Sequence, residues 1–323
     1  MKRILLIQTA FLGDVILATP VIAELKRLFP ASEISILVKK GNESLLENNP
    51  HIHEVFTFEK SKGKYKEILR LVGTFRKLQF DLTINLHRFG SSGLMTILSG
   101  AKKTIGFDKN PFSFAYSKRV PHAIGDGTHE VARNLSLIKE FGAVELCRPE
   151  LYPSQANKDR IKPYAQGQFF CFAPASVWFT KQLPVEKWIE LAEKKAKEGT
   201  VYLLGGKQDY DVCEHIRTSV ENGQIINLCG ELNLLESAVL MATAARNYVN
   251  DSGPLHLASA MNAPVTAFFC STIPAFGFGP LSDDSIVLQV KEELSCRPCG
   301  LHGHAACPKG DFQCGLGIDL SDE

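Results

Sequence analysis

The stretch "NYVNDSGPLHLASAMNAPVTAFF", residues 247–269, carries two apolar runs, Asn247–Asp251 and Ala263–Phe269, with a small-residue helical segment, Pro254–Asn262, between them. Strand, helix and strand in so short a span predict a crossover connection, and therefore two parallel strands of one sheet. Asp251, Ser252, Gly253 and Pro254 stand at the first junction: a carboxylate, a hydroxyl, a bare backbone and a residue preorganised for a first helical turn. Capping is the commonest use of such residues, because Ser or Asp before a helix accepts a bond from an orphan N–H. The sharper reading is an anion site, since free N–H groups and the helix dipole favour a phosphate there. The rest of the chain decides between them.

Outward from this stretch the same rhythm recurs. Upstream come strand "FFCFAP", helix "VEKWIELAEKKAKEG", strand "TVYLLGG", helix "DYDVCEHIRTSVENG", strand "QIINLCG" and helix "NLLESAVLMATA". The first half has strands at Arg3–Gln8, Glu33–Val38, Glu54–Phe58 and Asp81–Leu86. Its helices are predicted at Val15–Phe29 (with a restart at Pro20), Tyr65–Leu78 and 129–142, the last closed by Gly142. The polar, proline-bearing segment 148–168 is the best linker, dividing the chain into domains 1–155 and 156–323. Alternating strands and helices give an α/β protein of two doubly wound, Rossmann-like domains. Ligands of open parallel sheets lie beyond the carboxyl ends of the strands, so two such domains are expected to face a shared cleft.

Composition narrows the class. With 323 residues, 45% hydrophobic and 22% charged, the chain is an ordinary globular protein. No apolar run approaches the ~18 residues of a membrane span. The start "MKRILLIQTAFLGD" is too short in its apolar part, and too early interrupted by Asp14, to be a signal peptide. Nine cysteines, several inside apolar runs, suggest reduced thiols and a cytoplasmic location. The net charge of +1 conceals an asymmetry: residues 1–155 hold 22 Lys and Arg against 15 Asp and Glu, whereas the remainder holds 14 against 20. The basic half is expected to meet something anionic. Nucleic acid is a poor fit, because the basic runs lack interleaved aromatics and any binding motif.

The residues after the strands carry the chemistry. Gly13, which permits a tight turn, and Asp14, which begins a helix, follow the first strand. Asp14 reads either as an N-cap or as a general base. Ser176 and Lys181 follow "FFCFAP", where a lysine can grip a phosphate as a point charge. Gly205-Gly206 and Asp209 follow the next strand; the glycines permit close backbone approach and Asp209 could accept from ribose hydroxyls. Asp209-Tyr210-Asp211 also spells Asp-x-Asp, but carboxylates so spaced are common at helix starts, and this is weak ground for a metal. Gly-x-Gly-x-x-Gly and Walker sequences do not occur, which argues against hydride transfer and nucleotide hydrolysis. Together these loops suit a nucleotide-diphosphate-linked substrate.

The segments "ILLIQTAFLGDVILATPVIAELKRLFP", "DLTINLHRFGSSGL", "HEVARNLSLI", "TKQLPVEKW", "NDSGPLHLASAMNAPVTAFF" and "CRPCGLHGHAACPKGDFQC" resemble the ADP-heptose:lipopolysaccharide heptosyltransferases, glycosyltransferase family 9, heptosyltransferase II-like, over nearly the whole chain. The resemblance implies a GT-B fold and metal-independent inversion, with Asp14 as catalytic base. It implies that Lys181 contacts the donor diphosphate and that Asp251, Ser252, Gly253 and His256 hold sugar and phosphates, with Ser176 and Asp209 as looser donor-side matches. The amino-terminal domain would receive the acceptor, the lipid A–core of lipopolysaccharide at the inner membrane surface. His87, Arg88 and Arg133 are its candidate contacts. The protein would be a cytoplasmic monomer, with peripheral contact to the inner face of the inner membrane open. Two rivals remain: a family 9 transferase using a different nucleotide-sugar donor, and a non-catalytic nucleotide-sugar binding protein, which would need no Asp14.

The pattern departs from the family at the end. The chain stops at "GIDLSDE", where the resemblance implies a closing helix, so a short form is expected. Cys296, Cys299, Cys307 and Cys314 have spacing that could hold a structural zinc, but no cofactor is the expectation.

Overall fold

The computed structural model describes residues 1–321 and 323 and divides into two compact units. One comprises Met1–Ile124 with Thr128–Tyr152, the other Gly125–Gly127 with Pro153–Glu323. The change of unit at Tyr152/Pro153 falls inside the polar segment 148–168.

The first unit runs β1 (Arg3–Gln8), α1 (Leu12–Ile16), α2 (Thr19–Leu28), β2 (Glu33–Lys39), β3 (Glu54–Phe58), α3 (Lys64–Leu78), β4 (Leu82–Asn85), α4 (Gly90–Leu98), β5 (Lys103–Phe107), β6 (Lys118–Val120) and α5 (Glu130–Ser136). Its sheet is fully parallel in the order β3-β2-β1-β4-β5-β6. In β1, every residue after Arg3 is buried, as expected of a strand covered on both faces. The break foreseen at Pro20 is real: α1 ends at Ile16, and α2 restarts with Pro20 in its first turn, where its missing N–H costs nothing.

The second unit runs α6 (Gln155–Ile161), β7 (Phe169–Ala173), α7 (Val185–Lys195), β8 (Thr200–Leu203), α8 (Tyr210–Ser219), β9 (Ile225–Asn227), α9 (Leu234–Thr243), β10 (Arg246–Asn250), α10 (Gly253–Ala260), β11 (Val265–Phe269), β12 (Ser285–Gln289) and α11 (Gln313–Leu316). Its sheet has the order β12-β11-β10-β7-β8-β9, all parallel. Counted from its own first strand, this is the same 3-2-1-4-5-6 arrangement as in the first unit. Trp188 of α7 packs edge-on to Phe268 at 5.2 Å and tilted against Phe172 at 5.4 Å, fixing the helix to the sheet. The last residues pack here too: Ile318 and Leu320 are buried in this core, and Lys187 and Lys194 donate to their carbonyls at 2.6 and 2.9 Å.

Four local expectations change. The helix expected over 129–142 ends at Ser136, whose hydroxyl turns back to the Arg133 carbonyl at 2.6 Å, and a separate 3-10 turn at Lys139–Phe141 precedes Gly142. The linker contains α6, started by a reciprocal Ser154–Asn157 capping box. Gly13 lies inside α1 with no positive φ, so it is not a turn residue. Asp14 is not an N-cap either. Phe11 holds that place, and Asp14 sits three residues on, its Oδ2 accepting from the Phe11 N–H at 3.2 Å.

Candidate functional site

In a parallel sheet of this order, the strand sequence reverses between the first and fourth strands, and the gap beyond their carboxyl ends is where ligands lodge. Nearly every candidate residue follows one of those strands, in one unit or the other.

In the first unit, Asp14 follows β1 and His87 and Arg88 follow β4. The Asp14 carboxyl is pushed up to about 7, chiefly by burial and then by the Glu130 carboxylate. The Phe11 and Asp14 N–H groups and the Arg88 guanidinium pull the other way. A carboxyl poised near neutrality is what a general base requires. His87 is held neutral, its imidazole lowered to about 4 by burial and then by the charges of Lys60 and Arg88. Its Nδ1 lies 2.9 Å from the Thr9 hydroxyl, and its ring packs 4.8 Å from Phe89. The His87 carbonyl accepts from Ser92 Oγ at 2.9 Å and Asn110 Nδ2 at 3.0 Å. Gly93 makes room for that contact: a Cβ there would lie 2.0 Å from Asn110 Oδ1.

Arg133 is otherwise employed than the sequence suggests. Its Nε donates to Glu130 Oε2 at 2.8 Å, another of its nitrogens donates to the Thr128 carbonyl, and both side chains of the pair are under 10% exposed. Arg133 therefore fixes the start of α5 and holds the carboxylate that acts on Asp14. Burial raises the Glu130 pKa against the pull of Arg133. Sequence reading missed Glu130, although Glu-x-x-Arg at i,i+3 on a helix is a legible pair.

In the second unit, Ser176 and Lys181 follow β7, while Asp251, Ser252, Gly253 and His256 follow β10. Asn250, fully buried at the end of β10, ties the two strand ends together: its Nδ2 donates to the Pro174 carbonyl at 2.8 Å and its Oδ1 accepts from the Leu183 N–H at 2.9 Å. Lys181 Nζ lies 2.7 Å from Asp251 Oδ2, an atom that also accepts from the Thr272 hydroxyl at 2.6 Å. The two roles foreseen separately, lysine for phosphate and aspartate for sugar, thus meet in one ion pair. Ser252 occupies the N-cap of α10 in extended conformation, but its side chain does not cap the helix; Oγ instead donates to the Asn250 carbonyl at 3.4 Å. The simple capping account of this serine fails. His256 is buried one turn on, its ring edge-on to Phe278 at 6.4 Å.

The remaining donor-side candidates are less engaged. Asp209 closes the 3-10 turn Lys207–Asp209 that leads into α8, its Oδ2 accepting from the Gly206 N–H at 2.8 Å, and Asp211 is exposed beside it. Ser176 is half-buried, and its carbonyl accepts from Gln182 Nε2 at 2.7 Å. Further partners had no sequence signal. Thr180 Oγ1 receives bonds from the Ser271 hydroxyl at 3.0 Å and the His304 N–H at 2.8 Å. Arg297 donates to the carbonyls of Cys270 at 2.6 Å and Thr272 at 2.7 Å. Gly303, at φ +77, fits where a Cβ would sit 2.8 Å from Thr180 Oγ1 and 3.1 Å from Lys181 Cγ. The tail thus packs directly against the lysine. Its cysteines are free thiols, and among the described residues no group of three or more His, Cys, Asp or Glu side chains is placed to hold a metal ion.

Residues 68–304 match the family described as glycosyltransferase family 9 (heptosyltransferase), a span that takes in Lys181 and Asp251 and leaves out Asp14. The chain is 26% identical over 317 residues to lipooligosaccharide heptosyltransferase 2 of Haemophilus ducreyi, covering 89% of this chain and 88% of the relative. Among solved structures it superposes on a family 9 glycosyl transferase from Veillonella parvula with a TM-score of 0.80, at 23% identity over 89% of this chain and 85% of that one. On E. coli ADP-heptose LPS heptosyltransferase II the TM-score is 0.78, at 21% identity over 93% and 96% of the two chains.

Proposed function

Because the chain belongs to glycosyltransferase family 9, the heptosyltransferases, we propose that it transfers heptose from ADP-heptose to the inner core of lipopolysaccharide with inversion at the anomeric carbon. Asp14 takes the proton of an acceptor hydroxyl, whose oxygen forms the new bond to the anomeric carbon as the bond to the diphosphate breaks. ADP leaves with the electron pair, and its developing charge is met by Lys181 and the N-terminal turn of α10. The observation that carries the reading is the place of Asp14 just beyond the carboxyl end of β1, where burial and the Glu130 carboxylate push its carboxyl up to about 7. On this reading Asp251, Ser252, Gly253 and His256 hold the donor, with Ser176 and Asp209 at its edges. His87 and Arg88 approach the acceptor, and Arg133 acts through Glu130. Lysine and helix terminus take the place that a divalent ion fills in other sugar transferases, so no metal is required. The work is done on the cytoplasmic side, and no helix among the described residues is long and apolar enough to cross a membrane.

The test is turnover of the purified protein with ADP-heptose and lipopolysaccharide cores truncated at successive sugars, following ADP release and acceptor mass together. An acceptor heavier by one heptose, with one ADP per transfer, is expected. ADP-heptose binding without transfer to any core would favour the binding protein, and transfer from another nucleotide sugar in preference would favour the different donor.

A further inference from the structure

Helix α3 carries an apolar stripe wider than the part the first unit buries. Ile68, Leu71, Val72 and Phe75 form the stripe that packs on the first sheet. On the exposed flank of the same stripe, beside Ile68 and Val72, Tyr65 is 72% and Leu69 68% exposed, and at i,i+4 spacing they stand one above the other. Cations surround them: residues 59–78 contain Lys60, Lys62, Lys64, Lys66, Arg70, Arg76 and Lys77 against only Glu59 and Glu67. Lys64 Nζ lies 5.7 Å from the Tyr65 ring centroid. Two exposed apolar side chains within a field of long, flexible lysines have the make-up of a helix lying in a bilayer interface, where the anchors enter the headgroup boundary and the ammonium groups stay among the phosphates.

We propose that the exposed flank of α3, with the turn Lys60–Lys62 before it, docks the protein on a bilayer containing anionic phospholipid. A nucleic acid would use the lysines but has no use for Leu69. The patch also belongs to the unit that carries His87 and Asp14. Docking by this face therefore brings a membrane-borne acceptor to the unit that carries Asp14. That last consequence rests on the proposed function; the docking itself does not.

The experiment is flotation of the full chain with phosphatidylethanolamine vesicles containing one quarter phosphatidylglycerol, against vesicles with phosphatidylcholine in its place. Binding to the anionic vesicles alone is expected. It should fall about fivefold for each of Lys64→Gln and Lys66→Gln, and about tenfold or more in the double variant Tyr65→Ser with Leu69→Ser. Raising salt from 0.1 to 1 M, which cuts the screening length from about 10 to 3 Å, should weaken it strongly. Equal flotation of the Tyr65/Leu69 variant, with its melting curve unchanged, overturns the proposal. So does binding to an oligonucleotide with the same lysine dependence and none to vesicles. Turnover on a deacylated, water-soluble acceptor separates the two readings: the Tyr65/Leu69 variant should keep it. Flotation without any heptose transfer leaves docking standing and removes the functional reading, and transfer without flotation does the reverse.

Discussion

At the residue scale the carboxyl of Asp14 has two measurable consequences. As base it must be ionised, so turnover is expected to rise with pH and reach half its plateau near pH 7. Its effect on stability has the opposite sign. The unfolded group titrates near 3.8 and the folded one near 7, so in that window the native state binds more protons, and stability falls as pH rises until it levels off above 7. Asp14→Asn keeps an oxygen for the Phe11 N–H but loses the ionisation. It should turn over about 10²–10⁴-fold more slowly while melting above the wild type at pH 8, the two curves meeting near pH 4. A variant that is fully active, or that melts lower at pH 8, would remove the base. Lys181 calls for a different design, because Asp251 depends on it. Lys181→Ala strands a buried carboxylate, at a cost of about 3–5 kcal/mol, besides weakening ADP binding about tenfold through the lost phosphate contact. Adding Asp251→Asn should restore the melt and leave ADP binding weak. If the double variant binds ADP like the wild type, Lys181 has no phosphate role.

At the scale of elements, the strands buried on both faces are the plainest in the sequence, although the half-buried edge strands β3 and β9 are legible too. Arg3–Gln8 and Phe169–Ala173 are continuous apolar runs because helices cover both sides of the sheets. The ones overlooked are short or lie toward an edge: β5, the three residues of β6, and β12, whose residues are exposed or half-exposed. Helix α4 was hidden by Gly90 and Gly93, the second present for the sake of Asn110 rather than of the helix. The same division holds within the site. Residues adjoining a strand end could be found, whereas Lys181 and Asp251 are 70 positions apart and no spacing announces their contact. Trp188 tests the packing of α7. Trp188→Ala is expected to cost about 3–5 kcal/mol, measured by denaturant unfolding with the slope unchanged, and a cost under 1 kcal/mol would mean that α7 is held chiefly by its other contacts. At the tail, Gly303→Ala must push against Thr180 and Lys181 and also strain a positive φ. It should weaken ADP binding more than it lowers the melting temperature, and unaltered ADP affinity would show that the tail does not position the lysine.

At the scale of the molecule, each unit closes its own core around its own sheet. Calorimetry is expected to show two transitions. ADP at a hundredfold excess over its Kd stabilises by about 2.7 kcal/mol, and it should move one transition upward by roughly 5–10 °C, the one lowered by Trp188→Ala. If both transitions rise together, the nucleotide is not held by the second unit alone. Chelator should leave turnover unchanged; full loss in chelator with recovery in magnesium would contradict the role given to Lys181. The repeated strand order carries a further consequence. After the first strand of one unit comes an acid, Asp14, and after its fourth a cation, Arg88; after the first strand of the other comes a cation, Lys181, and after its fourth an acid, Asp251. One blueprint has been used twice with its signs exchanged. Where cation and acid touch, at 2.7 Å, the aspartate becomes a fixed anchor. Where the arginine is only a weak counterweight to burial and Glu130, the aspartate stays free to take up a proton. An acid held by a cation at 2.7 Å in one unit, and an acid governed by burial and a second carboxylate in the other, are the two outcomes of that exchange.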